Sequence, residues 1–291
     1  MARLTERTMG DHFVSRPEDA GDERPLALDS YRGKIRAAYD DPLFLQAIRR
    51  PEELWSHPGG QILADKRNRL GIFRLPLSGG PFKDIVVKEF SSRGVDRLKS
   101  LFLPSKAAKA WRGAMALKRR GLETASPVAY FEKRRAGFVE RSFFLAERVD
   151  EAVEIRDLFR SLSLLELDGL LSPLASYLSL CHQKGVLHRD LSDGNILVKR
   201  DEKGNFVFYL LDTNRIRLHR KISRLARVKN LIRLGIPASL QKPFLKKYFG
   251  ENPLGTSSWV WYRISKSVYT GHVGLKRKLR LRQLARKLGV Q

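Results

Sequence analysis

The chain has 291 residues, 42% of them apolar, enough for one enzyme of two lobes or for two small domains with packed cores. Its single cysteine excludes an internal disulfide, and no uninterrupted run approaches the ~18 apolar residues of a membrane span. The formal net charge is +25, and it is unevenly placed: from Thr213 onward 20 Lys and Arg face Glu251 alone, so nearly all the excess lies in the last part of the chain. A basic half of this kind suits an anionic partner.

In chain order, residues 1–30 are polar and turn-rich, as in Arg16-Pro17-Glu18-Asp19, and read as a poorly ordered leader. No secretory apolar segment opens the chain. Gln61–Ala64 and Leu70–Leu75 predict two strands joined by a turn over residues 65–69. The turn lacks a glycine-rich phosphate loop, but its backbone N–H groups, with Lys66, Arg67 or Arg69, could meet phosphate. Asp84-Ile85-Val86-Val87-Lys88 predicts a strand in which Lys88 interrupts an apolar run, as a phosphate-holding lysine does. Residues 105–120 predict a helix, with Ala107, Ala110, Trp111, Ala114 and Leu117 at three- and four-residue spacing, ended by Gly121. Strands follow around 128–131 and 142–147. Glu147-Arg148-Val149-Asp150 then reads as a hinge whose backbone at Glu147 and Val149 could hold an adenine edge.

Residues 165–184 predict a long helix, which Pro173 bends or begins. Cys181 and His182 on it have no metal-ligand spacing and read as core residues. After it comes His188-Arg189-Asp190-Leu191-Ser192-Asp193-Gly194-Asn195, an Asp with an Asn five residues on. Phosphoryl-transfer loops use this spacing: Asp190 can take a proton from a substrate hydroxyl, and the Asn195 carbonyl oxygen can ligate magnesium. His188 reads as a packing residue. Residues 196–198 and 206–211 predict a hairpin that delivers Asp212, a second magnesium ligand beside the ATP phosphates. The rest is helical in pattern. Residues 271–288 place Leu275, Leu279, Leu284 and Leu288 near one helix face amid many cations, a pattern that serves either an anionic membrane surface or ordinary packing with the cations in water.

Lys88, Asp190, Asn195 and Asp212, in this order and setting, predict an α+β, bilobal protein-kinase-like fold. It has a small β-rich N-lobe over residues 31–147 and a larger helical C-lobe over residues 148–291. With Val86-Val87-Lys88, Leu103-Pro104-Ser105-Lys106-Ala107, the stretch from Arg120 to Tyr130, the catalytic loop and Leu211-Asp212-Thr213-Asn214-Arg215, the chain resembles the lipopolysaccharide kinase family of Kdo and heptose kinases. The resemblance implies ATP and magnesium as cofactors and transfer of the γ-phosphate to a sugar hydroxyl of an anionic lipopolysaccharide core or related glycolipid. It also implies a cytoplasmic protein peripheral to the inner membrane, and nucleic acid is not expected as a partner. Asp190 would be the base, Asn195 and Asp212 the metal ligands, and Lys88 the phosphate holder. Arg215 and Arg217 are candidate contacts to substrate anions, with a structural ion pair as the alternative for Arg215.

The chain departs from the kinase pattern in three ways. No acid lies between Asp96 and Glu123 to pair with Lys88 from the helix, which leaves a pseudokinase binding module as an alternative. Ser192 stands where Ser/Thr protein kinases carry a lysine, and no Ala-Pro-Glu follows Asp212, which disfavours a conventional protein kinase and leaves a small-molecule kinase as an alternative enzyme.

Overall fold

The structure is a computed structural model that describes residues 22–57, 59–65, 68–92, 94–251 and 254–287. It divides into two compact units, residues 1–152 with 197–216, and residues 153–196 with 217–291.

The first unit is built on a seven-stranded antiparallel sheet. Its members in chain order are β1 (Glu23–Leu28), β2 (Tyr31–Arg36), β3 (Gln61–Asp65), β4 (Asn68–Leu75), β5 (Lys83–Ser91), β6 (Pro127–Arg135) and β7 (Phe138–Glu147), and across the sheet they run β1-β2-β6-β7-β5-β4-β3. Residues 23–28, placed by sequence in the leader, are instead an edge strand paired along its whole length with β2. Its inward Leu26 and Leu28 are buried, while Pro25 is tolerable because an edge strand leaves some N–H groups unpaired. Period-2 alternation puts Ile85 and Val87 of β5 into one core with Ile35, Phe73, Phe131, Phe143 and Leu145. Helix α1 (Pro42–Ile48), N-capped by the Asp41 side chain on the Phe44 N–H, inserts Phe44 and Ile48 into that core. The opposite face of β5 carries Val86, Lys88 and Phe90. After the short α2 (Val95–Lys99), helix α3 (Lys106–Lys118), N-capped by Ser105, packs against β5, β6 and β7.

The second unit opens with β8 (Val153–Glu154), α4 (Ile155–Ser161), α5 (Leu164–Gln183) and β9 (Val186–His188). The chain then returns to the first unit for the hairpin of β10 (Ile196–Arg200) and β11 (Phe206–Leu210) and re-enters the second along the short β12 (Ile216–Leu218). It closes with α6 (Arg224–Leu231), α7 (Ala238–Phe249) and α8 (Thr256–Lys287). A reciprocal capping box between Ser163 and Glu166 starts α5, so Pro173 lies inside the helix. Among the described residues, α5 alone is long and apolar enough to cross a membrane by length and composition. Leu167, Leu170, Leu171, Leu174, Tyr177 and Leu178 are nevertheless buried and the helix packs on α7, the pattern of a core helix. Helix α8 starts well before residue 271. Leu275 on it is exposed, whereas the side chains of Leu279 and Leu284, and all of Leu288, lie outside the described residues.

Cys181 and His182 are core residues, as expected. Burial pushes the Cys181 thiol up to about 12 and holds His182 down at about 4. His182 is 2% exposed and bonded through Nε2 to Asn230 Oδ1 at 2.9 Å and through Nδ1 to the Tyr248 hydroxyl. Its folded-state value lies below the ordinary 6.5, so the unfolded chain binds the proton first and stability falls as pH drops from 6.5 toward 4. The loss approaches about 3 kcal/mol once both states are protonated. His182→Gln, which cannot titrate, should lose about 2–3 kcal/mol less than the parent between pH 7 and pH 4.5, read from urea midpoints. Equal losses in the two proteins would refute this.

Candidate active site

The first unit presents Lys88 and Asp212. Lys88 sits in the middle of β5, between Leu70 of β4 and Phe144 of β7, so its backbone is fixed from both sides. Its Nζ donates to Asp212 Oδ1 at 2.6 Å, with side chains 27% and 19% exposed. Asp212 follows β11 in the left-handed region, at φ 49° and ψ 48°, which a short polar side chain tolerates better than most. This conformation turns the chain sharply into a single 3-10 turn, Thr213–Arg215.

That turn is seated on α3. Thr213 Oγ1 donates to the Ala110 carbonyl at 2.8 Å, and a Cβ on Gly113 would stand 2.1 Å from the Thr213 carbonyl oxygen, so only glycine permits the approach. At its other side, the Thr124 hydroxyl donates to the Leu210 carbonyl at 2.7 Å, and the Leu210 N–H donates to the Glu123 carbonyl. The helix without an acid therefore reaches Lys88 indirectly: it supports the turn that carries Asp212, and Asp212 holds the lysine. Sequence reasoning missed this support. A glycine in the interior of a good helix, Gly113, was its only sign.

Arg215 Nε lies 3.5 Å from Asp212 Oδ2, the ion pair weighed from sequence, and the half-buried Arg217 begins the return to the second unit. At the predicted hinge, the Glu147 N–H donates to Ser126 O and its carboxylate accepts from the Tyr39 hydroxyl. Val149 lies just beyond β7 in irregular backbone. Arg148 is committed to Asp84. At the predicted phosphate-covering turn, Lys66 and Arg67 lie outside the described residues, and Arg69 pairs with Asp65 and stacks over Trp55.

The second unit presents Asp190 and Asn195. Their loop leaves β9 and closes in a 3-10 turn, Asp193–Asn195. Asn195 Nδ2 donates to the Asp190 carbonyl at 2.8 Å and to Ser192 Oγ at 3.2 Å, so its Oδ1 is the atom left for a cation. His188 is buried, and its Nδ1 accepts from the Asp190 N–H. Asn230 joins both histidines: it accepts from His182 and donates through Nδ2 to the His188 carbonyl at 2.8 Å. Arg233, which sequence spacing gave no reason to single out, donates to Asp190 Oδ1.

Asp212 and Asn195 supply hard oxygen donors, and among the described residues no three His, Cys, Asp or Glu cluster as a metal cage. Oxygen donors of either kind are ones magnesium takes, since it keeps waters and phosphate oxygens rather than a full protein shell.

A model of the lipopolysaccharide kinase (Kdo/WaaP) family matches residues 93–247, more than half of the chain. Among solved structures, WaaP in complex with acyl carrier protein is 20% identical and covers 79% of this chain and 98% of that one, with a TM-score of 0.54. A double mutant of the Mycobacterium tuberculosis PknI kinase domain is 14% identical over 72% of this chain and 87% of its own, with a TM-score of 0.39. No curated protein matches the sequence. The fold is α+β and protein-kinase-like, β-rich in its first part and helical in its second. By the extent of the family match, the chain belongs to the lipopolysaccharide kinase (Kdo/WaaP) family, a family of ATP-using phosphotransferases.

Proposed function

We propose that this kinase transfers the γ-phosphate of ATP to a sugar hydroxyl, Kdo or heptose, of lipopolysaccharide core or a related anionic glycolipid at the cytoplasmic face of the inner membrane. The observation that carries the reading is the loop in which the Asn195 amide is anchored on Asp190 and Ser192, the arrangement that phosphoryl transfer needs. Asp190 receives the proton of the attacking hydroxyl. Lys88 holds the α and β phosphates, and backbone at Glu147 and Val149 takes the adenine edge. Magnesium, held by Asp212 and Asn195, would neutralise charge that develops on the phosphate oxygens.

The acceptor class is supported by a cavity of about 690 Å³ in the second unit. Arg189, Lys229 and Arg233 line it together with Trp261, Ile264 and Val268. Cations set beside apolar side chains suit an amphiphile that carries anionic sugars. The one-sided basic charge after Asp212 points the same way and, together with Arg215 and Arg217, favours an acceptor that already bears phosphates or carboxylates.

Purified chain with magnesium, ATP and core glycolipid should increase the glycolipid mass by one phosphate. Turnover of protein or aminoglycoside with none of glycolipid would replace this reading with a protein or small-molecule kinase. Absence of any turnover, with glycolipid still bound, would replace it with a binding module.

A further inference from the structure

The catalytic loop has no cation of its own after Asp190: from Leu191 to Val198 there is no Lys or Arg. The place of the kinase lysine is taken by Ser192, whose hydroxyl is engaged by Asn195. A cation reaches Asp190 from elsewhere in the same unit. Arg233, in the connection between α6 and α7, donates to Asp190 Oδ1.

The connection is built for that contact. It is fastened to the loop on either side of Arg233, by Asn230 Nδ2 on the His188 carbonyl and by the Gly235 N–H on Asp193 Oδ1 at 2.7 Å. A Cβ on Gly235 would lie 2.4 Å from the Asp193 carboxylate, so any other residue there would push that carboxylate aside. From α8, Lys266 Nζ donates to the carbonyls of Ile232 and Leu234, the two residues that flank Arg233, at 3.1 and 2.7 Å. The Tyr269 ring lies 5.5 Å from the guanidinium. An ion pair whose side chains are 39% and 36% exposed adds little to stability, so stability does not account for a cradle of this kind. The same exposure leaves the remaining guanidinium N–H groups open to a ligand. A planar fork can meet a carboxylate and a phosphoryl group at once, which a lysine ammonium does less well.

We propose that Arg233 is the cation of the phosphoryl-transfer step, replacing the catalytic-loop lysine that Ser192 lacks. The inference rests on the kinase reading above. In the step, the acceptor oxygen bonds to the γ-phosphorus and its proton passes to the Asp190 carboxylate. The bond from the γ-phosphorus to the bridging oxygen breaks, and ADP leaves with the electron pair. Arg233 transfers no proton. One N–H holds Asp190 in place, and others donate to an equatorial oxygen of the transferring group, where charge is spread in the transition state.

Arg233→Gln should lower kcat by about 10²–10³-fold with the KM for ATP within about 3-fold of the parent, and Arg233→Lys should fall between the two. Adding Ser192→Lys to Arg233→Gln should recover at least about tenfold, because it returns a cation to the vacated role. Millimolar guanidinium should likewise restore part of the turnover of Arg233→Ala, which a purely structural role would not allow. Turnover of Arg233→Gln within about 5-fold of the parent would overturn the proposal. So would a loss that neither Ser192→Lys nor guanidinium repairs.

An acceptor-free measurement separates this proposal from the glycolipid assignment. Magnesium-ADP with tetrafluoroaluminate should stabilise the parent to heat more than magnesium-ADP alone. Arg233→Gln should keep the ADP shift and lose the increment. If that increment is lost while the parent phosphorylates no glycolipid, the acceptor assignment fails and Arg233 stands. If the increment survives the substitution, Arg233 is not the cation.

Discussion

Asp190→Ala should lower glycolipid phosphorylation by about 10³-fold and leave the affinity for magnesium-ATP within about 3-fold. The size follows from what the carboxylate does: a positioned base contributes roughly 10²–10⁴, and Asp190 also fixes the guanidinium of Arg233, so both are disturbed together. Nucleotide binding should be spared because the residues proposed for it, Lys88 and Asp212, belong to a different unit and depend on β5 and α3 for their placement. Asn195 keeps its anchor as well, since it bonds to the carbonyl of Asp190 and not to its side chain. Asp190→Asn should be nearly as inactive, because it preserves shape and removes the proton acceptor. Initial rates of phosphate incorporation together with thermal titration by ATP give both quantities. Turnover of Asp190→Ala within a few-fold of the parent would show that another group takes the proton.

Asp212→Ala should lose about 10³-fold in turnover, but with a different signature: the magnesium-dependent part of ATP stabilisation disappears. Two losses coincide at this residue. The charge that would hold the metal goes, and Lys88 loses the carboxylate that holds it at 2.6 Å. Alanine also fits the left-handed turn poorly, whereas Asn suits it, so Asp212→Asn separates charge from backbone. Asp212→Asn should melt close to the parent and still fail to respond to magnesium. An unchanged ATP-induced thermal shift in either variant would remove Asp212 from the metal site.

Lys88, Asp190, Asn195 and Asp212 could be assigned to their strand and loops from sequence because each sits in a short segment with a clear local pattern. The hairpin that carries Asp212 was legible for the same reason: the turn Asp201–Asn205 is closed by its own Asp201 side chain. What stayed hidden depends on distant partners. The first strand, Glu23–Leu28, shows only two buried leucines in a polar stretch and becomes a strand through its pairing with β2. Arg233 is 43 residues from Asp190, and no spacing rule connects a cation in a helix connection to a loop so far away. The missing helix acid could be seen, but its structural answer could not, because a tight backbone contact leaves no signature beyond one glycine.

The close seating of the Asp212 turn on Gly113 has a consequence for control. An ion pair between a helix acid and the strand lysine weakens as ionic strength rises, and anything that supplies a competing charge can open it. Contact between a glycine and a carbonyl responds to neither. The turn that carries Asp212 is therefore seated by shape, and of the contacts that lead from the helix to Lys88 only the last, the ion pair with Asp212, is open to salt. Unseating that turn means parting it from helix Lys106–Lys118 at the contact of Gly113 with the Thr213 carbonyl.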